Sequence, residues 1–196
     1  MKLLDKEEFR QLFENSQTSY SYGCVMLDTN FELFWEEQAL ILEDDLYRVE
    51  EKFGKEDQPH CTILYGLKDT EFDHKLIVQL LTNLQPIEFT FTNVSLFENS
   101  EDYDVVKFDV DSPALVQLND AFNGLPNEST FPLYHPHITL AYVKKGAGKK
   151  YLKTILQESY ISDIITYSPS EGDDIRYMLT GTTPAIVQDD SDVIKN

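Results

Sequence analysis

Two seven-residue stretches of this 196-residue chain are near-copies of each other: Pro59-His60-Cys61-Thr62-Ile63-Leu64-Tyr65 and Pro136-His137-Ile138-Thr139-Leu140-Ala141-Tyr142. Each sets a histidine two residues before a threonine inside an otherwise apolar run. A short run of that kind reads as a strand, where side chains alternate between faces. His60 and Thr62 then share a face with Leu64, and His137 and Thr139 share one with Ala141, while Ile138, Leu140 and Tyr142 form an apolar opposite face. Core packing needs only the apolar face. A single His-x-Thr is more often a hydrogen-bonded surface pair, but two copies in matched strand context point to chemistry.

Two histidines and two hydroxyls suit the cleavage of a phosphodiester. The reaction needs a base for the attacking oxygen, an acid for the leaving oxygen and donors for the charged phosphoryl oxygens. An imidazole titrating near 6.5 can serve as either acid or base near neutral pH. Thr62 and Thr139 supply hydroxyl donors one step along each strand. A metal centre could be assembled from His60, His135 and His137, yet no carboxylate or thiolate recurs beside either motif to complete a familiar ligand set. No metal and no cofactor is therefore expected.

The surrounding elements must bring the two motif strands together. Apolar spacing predicts a leading helix over Lys6–Asn15, a buried strand at Tyr22–Leu27 and a helix from about Glu36 to Glu50. The first motif strand, His60–Gly66, precedes a helix over Asp73–Leu84 and a hairpin of strands at Ile87–Phe97 and Tyr103–Val110. Ser112 followed by Pro113 marks a helix start, with a hydroxyl to cap free amides and a proline tolerated at the first position. The second motif strand, His137–Val143, leads to a helix near Lys149–Gln157 and strands near Asp163–Tyr167 and Ile175–Leu179. The pattern predicts an α+β fold of two pseudo-symmetric lobes, antiparallel-rich sheets lining a shared central cleft and helices outside. Residues 1–181 form one domain, one motif per lobe, and 182–196 form an acidic tail.

Composition narrows the partners. The formal net charge of −19 argues against holding long nucleic acid through its phosphate backbone. A small anion remains compatible, because screening over roughly 8 Å lets the local field of a site dominate. No apolar run approaches the roughly 20 residues of a membrane span, and acidic residues in the first eight positions replace the apolar segment of a signal peptide. A cytoplasmic location is expected. Cys24 and Cys61 lie in apolar runs and read as buried thiols.

The paired motifs resemble those of the two-histidine (2H) phosphoesterase superfamily. Within it, Tyr22-Gly23-Cys24-Val25-Met26-Leu27, Asp44-Asp45-Leu46-Tyr47 and Pro59-His60-Cys61-Thr62-Ile63-Leu64-Tyr65-Gly66-Leu67 are similar to the phage anti-CBASS branch. The resemblance spans about Tyr20 to Gly181. It implies a metal-independent phosphodiesterase that hydrolyses 3′,5′ bonds of cyclic di- and trinucleotide immune messengers in the cytoplasm of an infected bacterium. It also implies that a ribose 2′-hydroxyl attacks the adjacent phosphate between the two histidines, after which water opens the cyclic phosphate. The chain departs from expectation in lacking a dense arginine cluster.

Further candidates carry two readings each. Tyr22 is either a nucleobase contact, worth roughly 1–3 kcal/mol for a stacked base, or a core-edge tyrosine. Lys144, with Lys145, Lys149 and Lys150, either draws an anionic nucleotide inward or forms a solvated turn. Glu171 and Asp173 either read a base edge or are simply exposed. His135 is in phase with His137, but Pro136 interrupts regular pairing. His74 reads as a solvated helix residue, and Phe34 and Trp35 as core anchors. Two other functions compete: processing of 2′,3′-cyclic phosphates or RNA ends, and a sponge that binds a cyclic nucleotide without cleaving it. Binding alone needs no acid–base pair, so two intact histidines favour turnover.

Overall fold

The structure, a computed structural model, describes residues 22–49, 52–98, 100–129 and 133–187. The helix expected over Lys6–Asn15 lies outside the described residues. In chain order the elements are β1 (Gly23–Asp28), α1 (Glu32–Ala39), β2 (Arg48–Val49), β3 (Lys52–Phe53), β4 (His60–Leu67), α2 (Lys75–Leu81), β5 (Ile87–Phe97), β6 (Tyr103–Asp111) and α3 (Pro113–Phe122). They continue with β7 (His137–Lys144), β8 (Lys153–Ser162), β9 (Ile164–Ser168), β10 (Ile175–Met178) and β11 (Ala185–Val187). Nine strands form one sheet, ordered β11-β10-β9-β1-β4-β7-β6-β5-β8. Every neighbouring pair is antiparallel. The α+β expectation holds, and the two halves are continuous through β4 and β7. The sheet also reaches into the segment expected to be a tail, where β11 pairs with β10.

A strand–helix–motif strand unit occurs twice, as β1-α1-β4 and as β6-α3-β7. Each motif strand carries an extra residue at the same place. The register passes from Val25↔Leu64 to Met26↔Thr62 on β4, and from Val106↔Ala141 to Lys107↔Thr139 on β7. Ile63 and Leu140 are thus the bulged residues. A bulge takes its residue out of the ladder, and a buried carbonyl left there needs another donor. Asn119 Nδ2 of α3 donates to Ile63 O at 2.7 Å, and Gln38 Nε2 of α1 donates to Leu140 O at 3.0 Å. Each helix therefore braces the motif strand of the opposite half. Their apolar sides close the core: Phe34, Leu115 and Phe122 are buried with Val25, Leu27, Cys61, Phe108 and Ile138 of the sheet. Ser112 caps α3 as its sequence predicts, its Oγ accepting from Leu115 N.

Two expected helices are corrected. The helix placed at Glu36–Glu50 runs Glu32–Ala39, and the chain then forms a short 3-10 turn at Glu43–Asp45 and the β2–β3 hairpin. The cause is the edge of β7. The two motif strands pair through Cys61↔Ile138 alone, so the rest of β7 needs other partners. Tyr47 N donates to Tyr142 O at 3.0 Å, Tyr142 N to Gly54 O at 2.8 Å and Glu56 N to Leu140 O at 3.0 Å. These backbone bonds outweigh local helix propensity. The far edge of β4 is covered likewise, Glu128 N donating to Gly66 O at 2.8 Å. Gly66 has φ +92, and a Cβ there would meet the Glu128 and Ser129 backbone at 3.2 Å. The helix placed at Lys149–Gln157 is instead a 3-10 turn, Ala147–Tyr151, followed by β8. β8 completes the edge of β5, and Tyr160 lands against Phe31 and Phe91 at 4.8 and 5.0 Å.

One buried carboxylate locks the outer end of β9 to the turn after β4. Asp69 is 3 % exposed and accepts from Tyr167 Oη at 2.9 Å, Ser170 N at 2.7 Å and Ser170 Oγ at 2.5 Å. Burial alone would raise its pKa, but the Ser170 and Tyr167 donors and the charge of His74 hold it below the ordinary carboxylate value. A group depressed on folding stabilises above its unfolded pKa and loses that contribution as pH falls through the folded one. Asp69→Ala is expected to cost about 1–3 kcal/mol, by stranding the Tyr167 hydroxyl and Ser170 amide. In urea titrations the deficit should be full at neutral pH and shrink below about pH 4. A deficit independent of pH would show that the carboxylate charge plays no part.

Candidate active site

The four motif side chains meet at the centre of the sheet. Cys61 faces Ile138 across the β4–β7 pair and both are buried. Extending that antiparallel register by one residue sets His60 opposite Thr139 and Thr62 opposite His137, all four half-buried on the other face. The two histidines sit diagonally across a four-residue square. Adjacent strands lie about 4.8 Å apart, which brings both imidazoles within reach of one phosphoryl group.

Both rings are held the same way. His60 Nδ1 lies 2.7 Å from Gln58 O, and His137 Nδ1 lies 2.8 Å from His135 O. A carbonyl can only accept, so each neutral ring carries its hydrogen on Nδ1 and leaves Nε2 as its acceptor nitrogen. His135 serves here through its backbone, and its side chain is exposed. His137 also meets Phe97 edge-on at 4.8 Å between centroids. Burial pushes the His137 imidazole down to about 4; the His135 carbonyl and Asp109 pull upward, Lys107 and His60 downward.

The neighbouring strands add a charged flank to each histidine that the motifs do not announce. Asp28 of β1 is the register partner of His60, and Asp109 of β6 is the partner of His137. Asp28 accepts from Thr166 Oγ1 at 2.8 Å and pairs with Arg176 at 2.8 Å. Asp109 accepts from Ser95 Oγ at 2.7 Å and pairs with Lys107. Each flank thus holds one aspartate, one hydroxyl and one cation. The visible signal was in β6, where Lys107 and Asp109 alternate with apolar Val106, Phe108 and Val110.

Other expected contacts lie elsewhere. Tyr22 precedes the end of β1 remote from Asp28, roughly 20 Å along the strand, and its hydroxyl donates to Glu128 at 2.6 Å. Lys144 ends β7 remote from His137, its Nζ donating to Asp44 O at 2.7 Å. Lys145 and Lys150 pair with Asp104 and Asp45. Glu171 and Asp173 are exposed in the turn between β9 and β10. None of these is brought to the histidine square. His74 is not merely solvated, since its Nε2 contacts Asp69 O at 3.1 Å. Phe34 is a core anchor, whereas Trp35 is 39 % exposed and donates to Asn30 at 2.7 Å. Cys61 is buried and Cys24 only partly so. Among the described residues no group of three or more His, Cys, Asp or Glu is placed to hold a metal ion.

No protein-family model and no curated protein matches the chain. Solved structures do. TT0787 of Thermus thermophilus aligns with a TM-score of 0.55 at 14% identity, covering 85% of this chain and 93% of that one. Usb1 of Kluyveromyces marxianus, solved with uridine monophosphate, aligns with a TM-score of 0.54 at 10% identity, covering 85% of this chain and 99% of that one. The chain shares their fold. At such identities the likeness concerns the backbone, and the chemistry rests on the side chains described above.

Proposed function

We propose that this chain is a metal-independent phosphodiesterase of the 2H phosphoesterase type, with His60 and His137 as its general acid–base pair and Thr62 and Thr139 as phosphoryl-oxygen donors. The observation that carries the reading is the square itself: two Nδ1-anchored imidazoles, from two repeats, sit diagonally on adjoining strands with a threonine at each remaining corner. Such a square offers one Nε2 to accept a proton and another to donate one across a single phosphorus. The fold shared with Usb1, solved with uridine monophosphate, is compatible with a nucleotide ligand.

The finer reading is hydrolysis of 3′,5′ bonds in cyclic di- or trinucleotide messengers, disarming antiphage defence in the cytoplasm of an infected bacterium. It is supported by the sequence resemblance and by a net charge of −19, which suits a small ligand better than long nucleic acid. No helix among the described residues is long and apolar enough to cross a membrane. A second reading, action on 2′,3′-cyclic phosphates or RNA ends, is favoured by the likeness to Usb1, whose structure holds uridine monophosphate.

The test is incubation of the purified chain, in excess EDTA, with cyclic dinucleotides, cyclic trinucleotides, 2′,3′-cyclic mononucleotides and short RNAs. Cleavage of the cyclic oligonucleotides in EDTA is the expected result. Cleavage of only the cyclic mononucleotides or RNA ends selects the second reading. Tight retention of an intact messenger marks a sponge, and activity abolished by EDTA refutes metal independence.

A further inference from the structure

The register partners of the two motifs match at the histidines and differ at the threonines. His60, Thr62 and Asp28 correspond to His137, Thr139 and Asp109, but the register partner of Thr139 is Lys107 while that of Thr62 is Met26. A cation stands beside the threonine of one half and a neutral thioether beside that of the other. The first half's cation, Arg176, comes from β10, three strands out from β4, and its side chain is 35% exposed. Lys107 stands one strand from β7, and its side chain is 6% exposed.

Resting on the phosphodiesterase reading, we propose that Lys107 is a positioning residue which adds to burial in making the two histidines unequal, favouring His137 as the proton acceptor of the first step and His60 as its donor. The ammonium is caged: Nζ donates to Ser95 Oγ at 2.8 Å, pairs with Asp109 and lies 4.3 Å from the centre of the Phe97 ring. That same ring meets His137 edge-on. Water screens a buried charge little, so its repulsion of an imidazolium on the adjoining strand persists at physiological salt. The charges acting on His137 are Lys107, which disfavours its imidazolium, and Asp109, which favours it, both from β6, and His60 from β4.

The proton balance follows. His137 Nε2 takes the proton of the attacking 2′-hydroxyl, the O2′–P bond forms, the P–O5′ bond breaks, and His60 gives its proton to the departing 5′ oxygen. The two rings have then exchanged states. In the second step neutral His60 takes a proton from water, the water oxygen bonds to phosphorus, the P–O2′ bond breaks and His137 returns a proton to O2′. Both rings regain their starting states.

Imidazole proton NMR of the full chain, without substrate, tests the charge effect, and kcat/KM against pH tests its catalytic consequence. In the wild type His137 should titrate well below 6.5. In Lys107→Met its midpoint and the acid limb of kcat/KM should both rise by about one pH unit, and Lys107→Arg should keep them near the wild-type position. Met26→Lys, on the partly exposed counterpart, should move the alkaline limb to lower pH, and it tests the idea even if Lys107→Met does not fold. An ordinary His137 midpoint in the wild type, or limbs that stay put in folded Lys107→Met and Met26→Lys, overturns the proposal. If the NMR midpoints move as expected but no phosphodiester is cleaved, the phosphodiesterase reading falls while the charge effect of Lys107 stands.

Discussion

His60→Ala and His137→Ala are each expected to lower phosphodiester hydrolysis by about 10²–10⁴, the usual worth of one positioned acid or base. The double variant should fall little further than the worse single one. On the proposed mechanism both rings serve the same transfer, so removing either leaves the other without a partner, and losses in such a unit do not multiply. Neither substitution should unfold the protein, since both side chains are half-buried and each ring's anchor is a backbone carbonyl. Rates for the singles and the double on whichever substrate the EDTA panel identifies provide the check. A single variant that keeps near-full activity would remove that histidine from the chemistry, and multiplicative losses would mean the two rings act at separate sites.

Phe108→Ala carries the largest expected cost in stability, about 3–5 kcal/mol. Phe108 is fully buried and stacks on Phe91 with centroids 4.5 Å apart at 29°. Truncation removes that contact and leaves a void that a sheet clamped by α3 cannot collapse into. For a chain of this size the thermal midpoint should fall by roughly 6–20 °C. A functional effect should accompany it, because Phe108 lies between Lys107 and Asp109 and fixes their shared face. Activity of the still-folded fraction is expected to drop as well. A cost under about 1 kcal/mol would show that the core relaxes around the gap.

Much of the candidate site's arrangement was legible in the chain because its information is local. A His-x-Thr inside an apolar run fixes which side chains share a face whatever the strand pairs with, and Ser112-Pro113 marks a helix start without reference to the rest of the fold. The flanks were only faintly legible: charges alternate with apolar residues in β6, but Asp28 and Asp109 acquire meaning only when β1 and β6 lie beside the motif strands in a particular register. The same dependence explains the misplaced helix at Glu36–Glu50. Nothing between Leu40 and Glu50 announces that Tyr47 will be claimed by a backbone carbonyl of β7, far along the chain. Lys144, Tyr22 and Glu171 were singled out by residue type, but strand length carries all three toward the outer ends of the sheet.

The order of the strands has a consequence for how such a molecule can be divided. β5 to β8 build the second half as one continuous stretch, whereas the first half is assembled from β1 and β4 before it and β9 to β11 after it. The second half is therefore nested inside the first, yet β4 depends on Asn119 from the nested part and β7 on Gln38 from the host. Excising residues 87–162 and rejoining the ends would leave a host whose motif strand β4 lies at the sheet edge without Asn119 to brace it. Supplied as separate pieces, host and insert should regain order only on mixing, each acting as the other's missing scaffold.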